Sequence, residues 1–218
     1  MPRPFLNAKP DRLVSGFHAR GTLPHLKREG GTYFVTFRLA GTLPGPVLVR
    51  LKAERENIVQ QAFAAKRPLT WHEQEELFRW YSARVDKYLD AGPGDCWLRQ
   101  PAIARLVADA LVFHQGSRFE LQAWCVMPNH VHAVLRPQPD WTLSRVLKGW
   151  KGFTGKKANA LLQRTGKPFW QAESFDHLIR DETDWHRCCR YTVMNPVDAG
   201  FCRCPEDWEW SSAHRPVK

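Results

Sequence analysis

Two extended segments joined by only three residues place the strongest constraint on how this chain can fold. Residues 119–126 and 130–135 are rich in apolar, aromatic and β-branched side chains, a pattern that predicts two strands. The connection between them, Met127-Pro128-Asn129, is too short for a crossover. The two strands must therefore be antiparallel neighbours in one sheet.

The other elements predicted along the chain alternate between strands and helices. A strand is expected at residues 32–39, helices at 46–66, 70–90, 101–116 and 143–162, and a late extended segment at 167–180. Asp181 is expected to cap a final helix, which should close at Asn195 because Pro196 disfavours helical backbone in the residue before it. This order predicts an α+β fold, a ferredoxin-like βαββαβ antiparallel sheet with helices on one face.

The chain is expected to form one domain with a helical insertion. Residues 1–29 are rich in proline, glycine and basic side chains and predict an N-terminal arm, residues 30–212 form the domain, and residues 213–218 form a tail. The insertion occupies about 41–94. Its eight basic and seven acidic residues over 41–90 indicate a solvated helical addition rather than a nucleic-acid-binding face.

Charge indicates the kind of partner. A formal net charge of +10 and a pI near 9.6 favour a polyanion, most simply nucleic acid. No apolar run approaches the roughly 18 residues that a membrane span needs, and the N-terminus has no secretory signal, so we expect a cytoplasmic protein without a membrane partner, associated with the nucleoid when bound to DNA. Six cysteines without a CxxC pair argue against a disulfide framework.

His130 and His132 form a candidate metal site. Side chains alternate along a strand, so both imidazoles project from one face while Val131 points to the other. Neutral imidazoles are common ligands of divalent metal ions. The pair alone is also compatible with a purely structural role.

Tyr191 is the candidate nucleophile. Its phenol could attack phosphorus and leave a covalent phosphotyrosine, which divides a difficult transfer into two easier ones. Asn195 lies four residues later, on the same side of the predicted helix, and its amide oxygen could complete the metal shell. A tyrosine that only packs in the core is the alternative.

A basic tract without acidic residues spans residues 141–170 and is interleaved with aromatic side chains. Cations beside aromatic rings favour single-stranded nucleic acid. The candidate DNA-binding residues are Arg145, Lys148, Lys151, Lys156, Lys157, Arg164 and Lys167, together with Arg190 beside the tyrosine.

Several separate motifs occur in an order that resembles the REP-associated tyrosine transposases, within the single-tyrosine HUH transposases. They are AWCVMPNHVHAVL (123–135), FWQAESFDHLIRDE (169–182), RYTVMNPVDAGF (190–201) and DWEWSS (207–212). The resemblance implies that His130 and His132 bind Mg²⁺ or Mn²⁺, that Tyr191 is the nucleophile and, less directly, that Asn195 supports the metal. It further implies cleavage of single-stranded or hairpin DNA through a tyrosine bonded to the 5′ phosphate, by a monomer or a homodimer.

Two other functions remain open at this point. A domesticated nucleic-acid-binding protein would keep the fold and the basic tract without catalysis. A zinc hydrolase would use His130, His132 and a cysteine, but no acidic residue at helical spacing offers a general base.

Overall fold

Four antiparallel strands form the sheet at the centre of the computed structural model, which describes residues 30–65, 67, 69–92 and 94–215. The strands are β1 (Tyr33–Arg38), β2 (Phe119–Val126), β3 (His130–Pro137) and β4 (Phe175–Leu178), in the order β2-β3-β1-β4. This order, with the β2–β3 hairpin at one edge, is the predicted ferredoxin-like arrangement, and the α+β fold class is confirmed. The predicted arm, residues 1–29, lies outside the described residues, as do residues 216–218 of the predicted tail.

Six α-helices connect and cover the strands in the part of the chain described. They are α1 (Gly45–Ala64), α2 (Trp71–Trp80), α3 (Lys87–Asp90), α4 (Pro101–Val112), α5 (Leu143–Leu161) and α6 (Glu182–Asp198). A π-helical segment, Tyr81–Asp86, joins α2 to α3, and short 3₁₀ turns occur at Trp97–Arg99 and Pro205–Asp207. None of the described helices is both long and apolar enough to span a bilayer.

Helix α6 begins where the sequence predicts and ends later. The Asp181 side chain accepts a hydrogen bond from the Asp184 amide, so the predicted cap is present. The prediction that Pro196 closes the helix at Asn195 is wrong. Proline removes the hydrogen bond to the carbonyl four residues back and crowds that carbonyl, but it leaves the backbone that follows free to stay helical. The last turn is held by other bonds, among them the one from the Ala199 amide to the Asn195 carbonyl.

Helices α4 and α5 cover one face of the sheet. Tyr33, Val35 and Phe37 of β1 point to this face and are buried against them. The helices contribute Ile103, Val107, Leu111, Val146, Trp150 and Ala158 to the same core. Helix α4 precedes β2 and α5 follows β3, as a βαββαβ order requires, and both lie on one face as predicted.

The insertion and α6 cover the opposite face, which corrects the expectation of a solvated insertion. Phe34 and Val134 point to this side of the sheet and belong to a second core. The insertion buries Leu51, Val59, Leu77, Phe78, Val85 and Leu89 there. Each such burial stabilises by roughly 1.5–3 kcal/mol, so the insertion is fastened to the sheet. The nearly equal numbers of basic and acidic residues describe only the outer surface of the insertion.

Candidate active site

The two histidines of β3 meet on the face that the insertion covers. His130 and His132 are fully buried, and their Nε2 atoms lie 2.9 Å apart. Alternation along the strand puts both side chains on this face, as the sequence predicts. Two ring nitrogens that approach so closely can share a proton or bind one cation.

Hydrogen bonds on the far side of each ring orient the pair. The Asn129 amide donates from Nδ2 to the Leu89 carbonyl at 2.9 Å, which turns its Oδ1 toward His130 Nδ1 at 2.7 Å. An amide oxygen only accepts, so His130 carries its proton on Nδ1 and keeps a lone pair on Nε2. The Thr36 hydroxyl lies 2.8 Å from His132 Nδ1 and holds the second ring in the same way.

Burial keeps the imidazoles neutral. It lowers the pKa of His130 to about 3 and the pKa of His132 well below its ordinary value, and the neighbouring ring adds to the effect on His132. A neutral imidazole is the form that binds a metal ion. The electrostatics of the pair therefore suit a cation.

Tyr191 reaches this pair from α6. Its ring stacks edge-on against His132 with the centroids 5.6 Å apart, and Phe34 packs against it at 5.7 Å. Its hydroxyl donates a 2.6 Å hydrogen bond to Asp86 Oδ2. Burial, followed by the nearby Asp86 charge, raises the pKa of Tyr191. The phenol is thus held as the neutral hydroxyl beside the imidazoles.

Asn195 joins the same cluster one turn further along α6. Its side chain is buried, and its proximity raises the pKa of both imidazoles against the larger opposing effect of burial. Its Oδ1 nevertheless has no hydrogen-bond partner of good geometry. A buried amide oxygen without a donor is uncommon and is suited to a metal ion.

Two carboxylates that sequence reasoning missed complete the cluster, and both come from the insertion. Asp86 is 1% exposed and its Oδ1 has no partner, while Asp90 Oδ1 lies 4.0 Å from His130 Nε2. Burial raises the pKa of Asp86 well above its ordinary value and, together with Asp198, raises that of Asp90 to about 7. No local signal distinguishes these residues from the other acids of the insertion, because only tertiary packing brings them to β3.

The donor set fits a divalent cation. One ligand atom from each of Asp86, His130 and His132 lies within 4.8 Å of the others, and Asn195 adds an amide oxygen. Mixed nitrogen and oxygen ligands of this kind suit Mn²⁺ and related ions. Among the described residues, the ligand atoms that lie within 4.8 Å of one another come from the two histidines and Asp86 and not from a cysteine, so a zinc site built from His130, His132 and a cysteine gains no support.

The basic tract does not meet this site. Helix α5 packs on the other face of the sheet, and the side chains of Lys148, Lys156 and Lys157 are exposed there. Lys151 is half-buried and donates to the Ala172 carbonyl at 2.8 Å. The histidine pair and the predicted nucleic-acid surface therefore lie on opposite sides of the sheet.

The other predicted cations are dispersed. Arg145 stacks on Trp141, with 4.4 Å between its guanidinium carbon and the ring centroid. Arg164 stacks on Trp97 at 4.7 Å and pairs with Asp95. Exposed positions are occupied by Lys167 and Arg190. Of these, only Arg190 is next to the tyrosine in the chain.

One cation near the site was missed by the sequence reasoning. Arg38 lies directly opposite His130 in the β1–β3 ladder and is 9% exposed. It donates to the Thr42 hydroxyl at 2.9 Å, and burial lowers its pKa. The position of this arginine could only be recognised once the strand register was known.

Comparisons with known proteins agree with this fold. Residues 108–181 match the family model described as transposase IS200 like. The chain is 32% identical over 103 residues to the REP-associated tyrosine transposase of Escherichia coli K12, covering 45% of this chain and 57% of that protein. It is also 32% identical over 111 residues to a putative REP-associated tyrosine transposase of Haemophilus influenzae Rd, covering 46% of this chain and 62% of that protein. The chain thus spans less than two thirds of the length of either relative.

A solved structure supports the architecture over a larger share of the chain. It is a REP-associated tyrosine transposase bound to a REP hairpin, with a TM-score of 0.50, 19% identity, and coverage of 88% of this chain and 82% of that one. At this identity the likeness concerns the fold. The chain is thus similar in fold to this transposase, and over part of its length it is similar in sequence to REP-associated tyrosine transposases and, at residues 108–181, to the IS200-like transposase family.

Proposed function

We propose that this chain is a metal-dependent transposase or endonuclease that cleaves and rejoins single-stranded DNA through Tyr191. One observation carries the proposal: the Tyr191 ring contacts the His132 ring, with 5.6 Å between their centroids. The amide oxygen of Asn195, which has no hydrogen-bond partner, belongs to the same cluster. A nucleophile and a cation-binding group must lie this close if one phosphate is to contact both.

The reaction is a transesterification that balances without an outside reagent. The Tyr191 hydroxyl gives up its proton as its oxygen bonds to phosphorus, the bond from phosphorus to the 3′ oxygen breaks, and that oxygen takes up one proton in return and leaves as a free 3′ hydroxyl. The 5′ phosphate stays on the tyrosine, and attack by a 3′ hydroxyl reverses the step and rejoins the strand. When bound, Mg²⁺ or Mn²⁺ would withdraw charge from the non-bridging phosphate oxygens.

The chain's own residues position the reacting groups. His130, His132 and Asn195 would hold the cation, and Asn129 and Thr36 orient the two imidazoles at 2.7 and 2.8 Å. Asp86 accepts a 2.6 Å hydrogen bond from the Tyr191 hydroxyl and so fixes the orientation of that hydroxyl. Because both imidazoles are fully buried, binding of a DNA phosphate beside them requires a local rearrangement of the side chains that cover this face.

The substrate proposed is single-stranded or hairpin DNA. The net charge of +10 and the exposed lysines of α5 support a polyanionic partner. The solved relative bound to a REP hairpin supports the hairpin form. We propose that α5 contacts the DNA backbone away from the cleaved bond, since it lies across the sheet from Tyr191.

The test is a covalent-adduct assay with labelled hairpins from the gene's own flanks and Mn²⁺, resolved on a denaturing gel. Tyr191→Phe should form no adduct and should bind DNA as the wild type does. Tyr88→Phe, which removes a half-buried phenolic hydroxyl of α3, is the matched control and should form the adduct. His130→Ala combined with His132→Ala should remove the Mn²⁺-dependent adduct.

Adduct formation by Tyr191→Phe contradicts the proposed nucleophile. Binding of the hairpin by the wild type without any adduct, with either metal, favours a non-catalytic DNA-binding protein.

A further inference from the structure

The insertion places a carboxylate beside both the candidate nucleophile and the imidazoles. Asp86 Oδ2 accepts a hydrogen bond from the Tyr191 hydroxyl, with 2.6 Å between the two oxygens, while Oδ1 has no hydrogen-bond partner. Asp86 lies at the end of the π-helical segment Tyr81–Asp86, a form of helix that occurs mostly in short pieces and often at functional sites. One side chain thus faces both groups on which the proposed chemistry depends.

Asp90 lies one helical turn after Asp86 and brings a second carboxylate to the imidazoles. It follows Asp86 by four residues, so both carboxylates project from the same side of the helix. Its Oδ1 is 4.0 Å from His130 Nε2 and also has no hydrogen-bond partner. The two acids therefore approach the imidazole pair together.

A bound cation would allow both carboxylates to ionise in this arrangement, whereas without one burial favours their neutral form. Removing an ionised carboxylate from water is costly unless it is paired, hydrogen-bonded or bound to a metal ion. Among the residues described, no lysine or arginine forms an ion pair with Asp86 or Asp90, and the neighbouring imidazoles are neutral. The partnerless Asn195 oxygen, on a side chain that is 2% exposed, adds a third oxygen at the same place.

We propose that Asp86 and Asp90 of the insertion are ligands of the divalent cation held by His130 and His132. The inference rests on the proposed function and adds two ligands to its metal site. It makes the insertion part of the active centre, because a cation bound by both elements ties α3 to β3. Two imidazole nitrogens in the set favour Mn²⁺ over Mg²⁺, which prefers oxygen ligands.

The experiment measures Mn²⁺ affinity by titration calorimetry on the full chain without DNA. Asp86→Asn and Asp90→Asn keep the size of each side chain and remove its charge. Each should weaken Mn²⁺ binding by at least about 10-fold, the lower end of what loss of a residue that only supports a ligand costs. Glu76→Gln is the matched control, because it neutralises an exposed acid of the same insertion, and it should bind Mn²⁺ as the wild type does.

Thermal unfolding in EDTA separates loss of a ligand from loss of the fold. Both Asn variants should melt at or above the wild-type temperature, since each keeps an acceptor oxygen and removes a carboxylate that has no cationic partner. Tight Mn²⁺ binding by a folded Asp86→Asn or Asp90→Asn variant overturns the assignment of that ligand. If Asp86→Asn does not fold, Asp90→Asn decides the proposal.

The His130→Ala, His132→Ala double variant tests the proposed metal site separately from its two added carboxylate ligands. Loss of Mn²⁺ binding there, with wild-type affinity in both Asn variants, overturns this inference and leaves the proposed metal site intact. Absence of Mn²⁺ binding in the wild type overturns both.

Discussion

Asp184 provides a sharp test of how the tyrosine helix is anchored. Its side chain is 5% exposed and accepts hydrogen bonds from His177 Nε2 at 2.8 Å, the Arg180 amide at 3.0 Å and Arg187 Nη2 at 2.5 Å. Arg187 also donates to Glu75 of α2. One carboxylate therefore ties β4, the first turn of α6 and the insertion together.

Asp184→Ala removes the acceptor from these three donors, of which His177 is buried and loses this partner, while Arg187 keeps Glu75. Breaking a buried ion pair from one side costs roughly 3–5 kcal/mol in the free energy of unfolding. Asp184→Asn keeps one acceptor oxygen and should cost less, about 1–3 kcal/mol. Urea unfolding at neutral pH, followed by circular dichroism, measures both values.

The control is Glu182→Ala, an exposed acid in the same first turn of α6, where loss of the helix-dipole interaction should cost roughly 0.3–1 kcal/mol. Burial alone would raise the pKa of Asp184, but the hydrogen bond from His177 and the nearby charges outweigh it and hold that pKa below its usual range. The stability it contributes is therefore present at neutral pH and is lost as the pH falls. An Asp184→Ala cost equal to that of Glu182→Ala would refute this account.

Two further predictions concern the active centre and the DNA surface. Burial and Asp198 raise the pKa of Asp90 from 3.8 to about 7, so its contribution to stability is complete below pH 4 and is lost as the pH rises through 7. In EDTA the wild type should lose about 1–2 kcal/mol more than Asp90→Asn between pH 5 and 8, after allowance for solvent screening. Urea unfolding at both pH values checks this, and equal losses in the two proteins would contradict it. Replacing Lys148, Lys156 and Lys157 by glutamine should reduce the slope of log affinity against log salt by about 2 for single-stranded DNA. Filter binding at several salt concentrations measures the slope, and an unchanged slope would place the DNA elsewhere.

The sequence determined the local features of the site. Alternation along β3 put His130 and His132 on one face, and the three-residue connection required β2 and β3 to pair. Asp181 marked the start of α6, and a spacing of four residues put Tyr191 and Asn195 on one side of it. These inferences succeeded because each depends only on residues close together in the chain.

Only the tertiary structure decided which elements meet at the histidine face. Asp86 lies 105 residues from its hydrogen-bond partner Tyr191, and the balanced charge of the insertion indicated a solvated surface. Helix α5 lies on the opposite face, away from the imidazoles, and its basic composition gave no indication of which face it would cover. Contacts of this kind depend on which apolar surfaces bury one another, and a local pattern of residue types does not carry that information.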